Sequence, residues 1–244
     1  MRRIIRLENT SSTQDEAFSQ ADNGAADGTL IVAAEQTAGR GRLQREWVSP
    51  KDAGVYFSVV CRLGDASALP GLSFAAGIAV AAAIARLTSL DPRLKWPNDV
   101  LLDRKKVAGI LVESRTLGEE TIAAVGVGVN LRAEGNPFVQ RKPERATAID
   151  VHCDRIPEPE SLAEVFADEF DDLRLQPLDR ILKEWQKLDD TIGSQIELRL
   201  GEQTITGTAK GLDEHGALLV ETPDGRIESF VAGDVTITRW QPRR

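Results

Sequence analysis

The stretch VLLDRKKVAGILVES, residues 100–114, sets two short apolar runs on either side of a charged turn. Runs of that length around a polar break predict a β-hairpin from about Val100 to Ser114. Just downstream, IAAVGVGVNL reads as a further strand ending at Asn130. Upstream, IIRL at 4–7, TLIVAAE at 29–35 and GVYFSVVCRL from Gly54 share the same compact, β-branched character and are expected to be strands. Between the first two, SSTQDEAFSQA places Ser12 three residues before Asp15, a capping-box start for a short helix. The alanine-rich run GLSFAAGIAVAAAIARLTSL predicts a helix from Leu72 to Leu90, apolar all round and therefore covered by protein. Leu162, Val165, Phe166, Phe170 and Leu173 share one helical face, and Leu178, Ile181, Leu182, Trp185 and Leu188 another. Residues 134–160, with four prolines, read as a loop-rich connection. Strands mixed with helices predict an α+β domain, a sheet layered against helices.

After Asp190 the texture changes to short strands separated by turn signals such as DEHG and TPDG. About 50 residues of this kind predict a small appended β-barrel. A chain of 244 residues, 41% hydrophobic, can bury one large core and a second small one. The net charge of -8 argues against general nucleic-acid affinity and leaves room for a local basic site. Cys61 and Cys153 form neither a ligand spacing nor a redox pair, and no secretion signal opens the chain, so a reducing cytoplasm is expected. No run drives membrane insertion strongly. His152 and His215 have no partner histidine and no metal spacing; both read as turn or surface residues, which removes a histidine-based triad.

One segment of this acidic chain is strongly cationic: QTAGRGRLQREW, residues 36–47. Guanidinium forks match phosphate and carboxylate oxygens, and glycines let the backbone approach a ligand or move over it. Arg40, Arg42 and Arg45 therefore read either as a lid over an anionic ligand or as a solvated loop paired to surface acids. The order GxxxxGK[ST] is absent, so this is not a Walker A loop. In LKWPNDVLL from Leu94, the proline presents Asn98 and Asp99 in a defined direction. Asp99 is a candidate Mg²⁺ ligand, and an Asx-type turn into a strand is the alternative. Lys106 precedes an apolar strand in which Ala108 and Gly109 leave room for a close neighbour. It is a candidate point charge for a phosphate, or else part of an ordinary charged turn. Strand geometry puts Lys105 and Lys106 on opposite faces. GVGVN at 126–130 lacks the GxGxxG order of a dinucleotide fingerprint and reads as a tightly packed strand, within the sheet or beneath a ligand.

Taken in order, SST at 11–13, QTAGRGRLQREWVSP at 36–50, KWPNDVLL at 95–102, KKVAGILVE at 105–113 and GVGVN at 126–130 resemble the biotin protein ligases. The resemblance continues through EWQKLDD at 184–190 and GLDEHGALLV at 211–220. It implies a catalytic domain over residues 1–190, with a mixed central sheet and flanking helices related to class II aminoacyl-tRNA synthetases and lipoate ligases. It also implies an SH3-like β-barrel over residues 191–244. The implied reaction is ATP-dependent biotinylation of a lysine on a biotin carboxyl carrier domain, through biotinyl-5'-adenylate, with Mg²⁺ accompanying ATP. By position, Ser12, Thr13, Gln36 and Gly39 match biotin contacts, and Arg40 and Arg42 the catalytic loop that closes over the ligand. Trp47 matches the aromatic at the loop's far end. Lys106, beside Gly109, matches the lysine at the carboxylate and reacting phosphate. Asn98, Asp99 and Asn130 match positions on the nucleotide and metal side. Gln44 replaces a glycine common in the family pattern, and Glu46 a basic residue. With SST already at residue 11, no DNA-binding helix-turn-helix is expected, and homodimerisation through a sheet edge is compatible with the family. A lipoate ligase and a non-catalytic binding module are the competing readings.

Overall fold

The computed structural model describes residues 2–64, 66–117 and 120–241. The predicted strands form as β1 (Ile4–Leu7), β2 (Leu30–Ala33) and β3 (Gly54–Leu63), then, after an additional short strand β4 (Arg93–Lys95) that the sequence reading did not include, β5 (Asp99–Leu102), β6 (Lys105–Leu117) and β7 (Glu120–Asn130). They make one mixed sheet in the order β1-β2-β3-β7-β6-β5-β4. Only β1 and β2 run parallel, and the 100–114 hairpin supplies its β5–β6 pair. The helices are α1 (Thr13–Asp22), α2 (Leu69–Thr88), α3 (Pro137–Arg141), α4 (Pro159–Arg174) and α5 (Leu178–Leu188).

Strand alternation sorts the side chains between two layers. Ile31, Val60, Ile122 and Ala124 meet Ala17 and Ala21 of α1 on one face. Leu30, Val59, Ala123 and Val125 join the larger core on the other, with α2, α4 and α5. Phe57 meets Phe166 at 4.9 Å between ring centroids, and Phe74 meets Trp185 edge-on at 5.0 Å. Gly77 has no side chain because a Cβ there would sit 2.4 Å from the Trp185 ring. Helix α2 is long and apolar enough to cross a membrane by length and composition, yet it is mostly buried under α4 and α5. Ser12 caps α1 as expected, but its hydroxyl accepts from the Gln14 N–H at 3.3 Å. Asp15 takes no part in a capping box because its carboxylate is bound to Arg40.

The C-terminal region departs from the sequence expectation. Its strands β8 (Gln195–Leu200), β9 (Gln203–Leu212), β10 (Leu218–Glu221), β11 (Ile227–Phe230) and β12 (Asp234–Arg239) form an open antiparallel sheet in the order β11-β10-β9-β8-β12. The outer strands β11 and β12 do not pair with each other, so the expected SH3-like β-barrel is incorrect: the sheet does not close. A barrel buries its own inner face, whereas this sheet buries its face on the main core. Ile196, Leu198, Ala209, Leu218, Val220 and Val235 join the same apolar cluster as α2 and α5. The indole of Trp96 donates to the Gly216 carbonyl at 3.1 Å, and Gly216 also abuts Phe74.

Candidate functional site

A cleft of about 870 Å³ opens over β6 and β7, and every site residue read from the sequence borders it except Gly39. Its floor is main chain. Gly109 of β6 pairs with Gly128 of β7, and the Trp47 ring lies on this pair of glycines. A Cβ would stand 2.8 Å from the indole at Gly109 and 2.3 Å from it at Gly128. Close approach is what the two glycines provide. Trp47 Nε1 is buried without a hydrogen-bond partner among the described residues.

Lys106 reaches the floor through an irregularity. Pairing steps from Val100 with Ala108 to Leu101 with Lys106, leaving Val107 as an extra residue. This bulge puts the Lys106 side chain against Gly109, three residues on, where strict alternation would put it on the opposite face. Lys105 also borders the cleft. Lys106 Nζ lies 2.5 Å from Asp99 Oδ1 and 5.1 Å from the Trp47 ring centroid. Lys95 Nζ takes the other Asp99 oxygen at 3.0 Å. Burial pushes the Asp99 carboxyl upward, but the ammonium groups of Lys106 and Lys95 overcome it and hold Asp99 well below the usual carboxylate range.

This arrangement does not fit Asp99 to a metal. Each of its oxygens already faces an ammonium group, and two cations at that range repel a third. Among the described residues no three His, Cys, Asp or Glu side chains cluster to hold a metal. The role expected for Asp99 as a Mg²⁺ ligand is replaced by one as counter-ion to two lysines.

Over the floor, the loop arginines are tied to several separate elements. Arg40 binds Asp15 of α1 through both carboxylate oxygens, at 2.7 and 2.8 Å, and Glu113 of β6 at 2.9 Å. Hydrogen bonds to Asp15 and then Glu113 raise its pKa. Arg42 donates to the Asn98 side chain and the Gly233 carbonyl, both at 3.3 Å; burial lowers its pKa. Arg45 binds Asp234 at 2.6 Å. Leu43 and Gln44 at the tip have φ of 55° and 57°, so Gln44 holds a left-handed conformation that glycine adopts more easily. Gly39 packs against the far end of the loop: its carbonyl accepts the Trp47 N–H at 2.9 Å, and a Cβ would meet the Trp47 carbonyl at 2.4 Å.

The two ends of the cleft differ. At the α1 end, Gln36 Oε1 accepts from the Thr13 N–H at 2.8 Å and its hydroxyl at 3.1 Å, while Gln36 donates to Ser49 and Ser58 donates to Thr13. The Ser12, Thr13 and Gln36 side chains there are polar and uncharged, and the Arg40 charge is matched by Asp15 of α1. At the other, Arg104, Lys105, Lys142 and Arg145 border the opening. Asn98 donates to the Ile110 carbonyl at 2.6 Å. Asn130, 3% exposed, donates to the Thr147 carbonyl and accepts from Asn136, so its amide supports the wall.

Sequence reading missed Gln14, which bonds the Leu111 and Ala124 carbonyls under Gly126, and the counter-ions Asp15, Glu113 and Asp234. It read His152 as a turn or surface residue: the residue does stand in a turn, but its ring is mostly buried and bonds Thr147. Except for the His152–Thr147 bond, these contacts pair residues over long chain separations, which no local pattern marks.

A profile of the Biotin/lipoate A/B protein ligase family matches residues 5–130, and one of the Biotin protein ligase C terminal domain matches residues 191–237. The Biotin--[acetyl-CoA-carboxylase] ligase of Paracoccus denitrificans is 36% identical over 90% of this chain and 95% of its own length. The Bifunctional ligase/repressor BirA of Bacillus subtilis (strain 168) is 32% identical over 93% of this chain and 71% of its own. The biotin protein ligase of Aquifex aeolicus, solved in complex with biotin and ATP, superposes with a TM-score of 0.79 at 28% identity, covering 98% of this chain and 100% of that one. With a glycine floor, an arginine loop and a central lysine in one cleft, with a family profile over residues 5–130 and a 36% identical relative matched over 95% of its length, the chain belongs to the Biotin/lipoate A/B protein ligase family.

Proposed function

We propose that the protein uses ATP to activate biotin as biotinyl-5'-adenylate and passes the biotinyl group to a lysine of a biotin carboxyl carrier domain. The observation that carries this reading is Lys106, held by Asp99 between a neutral polar end and a cationic end of one cleft. The uncharged Thr13–Gln36 end suits the head of biotin, and the end bearing Arg104, Lys142 and Arg145 suits a triphosphate. A biotin carboxylate oxygen attacks the α-phosphorus and the bond to pyrophosphate breaks. Lys106, between the two anions, offsets their repulsion and the charge gathering on the phosphoryl oxygens. The acceptor amine then attacks the acyl carbon, loses a proton to solvent, and AMP leaves with the bonding pair.

In this reading the arginine loop keeps water from the mixed anhydride between the two steps. Any Mg²⁺ would travel with the triphosphate, because Asp99 is committed to two lysines. Both cysteines are free thiols, which supports a reducing cytoplasm as the setting.

The test is mass spectrometry of a purified biotin carboxyl carrier domain incubated with the protein, ATP, Mg²⁺ and either biotin or lipoate. A biotin-sized mass gain that requires ATP is expected. A gain only with lipoate would replace the reading with that of a lipoate ligase, and no adenylate from either acid would overturn it.

A further inference from the structure

His152 joins a relay outside the residues matched to ligands. Its Nδ1 lies 3.3 Å from Asp103 Oδ2, and its Nε2 lies 2.8 Å from Thr147 Oγ1. With the Nδ1 proton given to the carboxylate, Nε2 accepts the Thr147 hydroxyl. The order Asp, His, Thr has the form of a nucleophilic triad, but Thr147 is 2% exposed and its hydroxyl reaches no substrate. What the relay does follows from the main chain it grips.

The Thr147 N–H donates to the Lys106 carbonyl, and the Lys106 N–H donates to the Arg145 carbonyl, both at 2.9 Å. The Thr147 carbonyl accepts the Asn130 amide at 3.0 Å. Asp103, at the relay's other end, stands in the left-handed turn that leads into Lys105 and Lys106, with φ of 46°. His152 therefore ties together the turn before Lys106 and the segment beside it. Between Asn130 and Thr147 that segment carries Phe138, Lys142 and Arg145 along the cationic end of the cleft. The Thr13–Gln36 end hangs on α1 and the chain after β2, which the relay does not touch.

We infer that His152 is a positioning residue for the nucleotide: through Thr147 and Asp103 it holds Lys106 and the 131–147 wall in register. This rests on the ligase reading above. The experiment measures kcat and KM for ATP and for biotin by pyrophosphate release, with thermal unfolding, for the wild-type chain, His152→Phe, Thr147→Val, the double variant and Thr147→Ser. His152→Phe and Thr147→Val are each expected to raise KM for ATP about tenfold and leave KM for biotin within about twofold. The double variant is expected to be no worse than either single one, because both cut the same relay. Thr147→Ser, which keeps the hydroxyl, is expected to restore wild-type behaviour. If His152→Phe does not fold, Thr147→Val against Thr147→Ser carries the same test, since valine keeps the shape and removes only the hydrogen bond. An unchanged KM for ATP in folded variants, or equal rises in both KM values, would overturn the inference and leave the ligase reading standing. A wild-type chain that releases no pyrophosphate with biotin would overturn both.

Discussion

In the floor of the cleft, Gly109 and Gly128 face each other inside a continuous ladder; in the loop above, position depends on Arg40, Arg42 and Arg45 gripping α1, β6, the β4–β5 turn and the C-terminal sheet. Ladder bonds lie inside the sheet and are insensitive to salt. The arginine pairs are partly exposed, worth about 1 kcal/mol or less apiece, and screened by ions. The difference separates two tasks. A preorganised floor keeps Lys106 aimed without reorganisation, while a loop held by several weak ties can close and still let go.

Removing the floor's charge should have the largest effect. Lys106→Ala is expected to slow adenylate formation by about 10²–10³-fold with a much smaller change in thermal stability; single-turnover rates and unfolding from one preparation check it, and equal rates would contradict the assignment.

A second buried aspartate sharpens the contrast between paired and unpaired charge. Asp189, just after α5, accepts from the Thr191 and Ile192 N–H groups at one carboxylate oxygen, and its other oxygen has no partner among the described residues. Burial, helped by Asp190, pushes its carboxyl up to about 6 despite those hydrogen bonds. A raised folded-state value means that its stabilising contribution is fully present below about pH 4 and lost as pH rises through about 6. Asp189→Asn is expected to remove that loss, by at most about 3 kcal/mol, flattening the stability profile between pH 4 and 6 in denaturant titrations. Asp99 acts in the opposite sense: held low, it contributes at neutral pH and loses that contribution only in strong acid.

Crowding the floor comes next. Gly128→Ala is expected to cost about 1–3 kcal/mol and to drive the Trp47 ring off the strands. A red-shifted tryptophan emission would report it, and unaltered emission with unaltered stability would refute the close contact. Loosening the loop should have the smallest effect. Arg40→Gly, which cuts the ties to Asp15 and Glu113, is expected to speed adenylate escape about tenfold. Adding salt to the wild-type chain should reproduce part of that increase, and no change in release under either condition would break the contrast with the floor.

Most of the main sheet was legible because most of its strands carry a contiguous apolar run bounded by turn residues, as in IIRL and GVYFSVVCRL; β4, with the sequence RLK, carries none and was not legible. The helix faces of α4 and α5 were legible for the same local reason. The site was legible as a set of residue types, and less so as a set of contacts. Arg40 was open between lid and surface pair, and in the structure it grips acids from two separate elements. The extra Val107 that turns Lys106 inward leaves no trace in composition. The C-terminal strands were legible, but closure was not: short strands with tight turns suit an open sheet as well as a barrel, and what decides is the apolar surface offered by α2, α5 and Trp96.

Helix α2 also bears on the order in which the chain is made. Its apolar surface is covered by α4 and α5, which leave the ribosome long after it does. Until residue 188 has emerged, a nascent chain carries an alanine-rich, membrane-like helix with half its shelter missing, a natural substrate for chaperones. Chains cut after Asn130 keep all seven strands of the main sheet and lose that cover, so they are expected to aggregate, and expression of residues 1–130 alone will be limited by solubility before any question of chemistry arises.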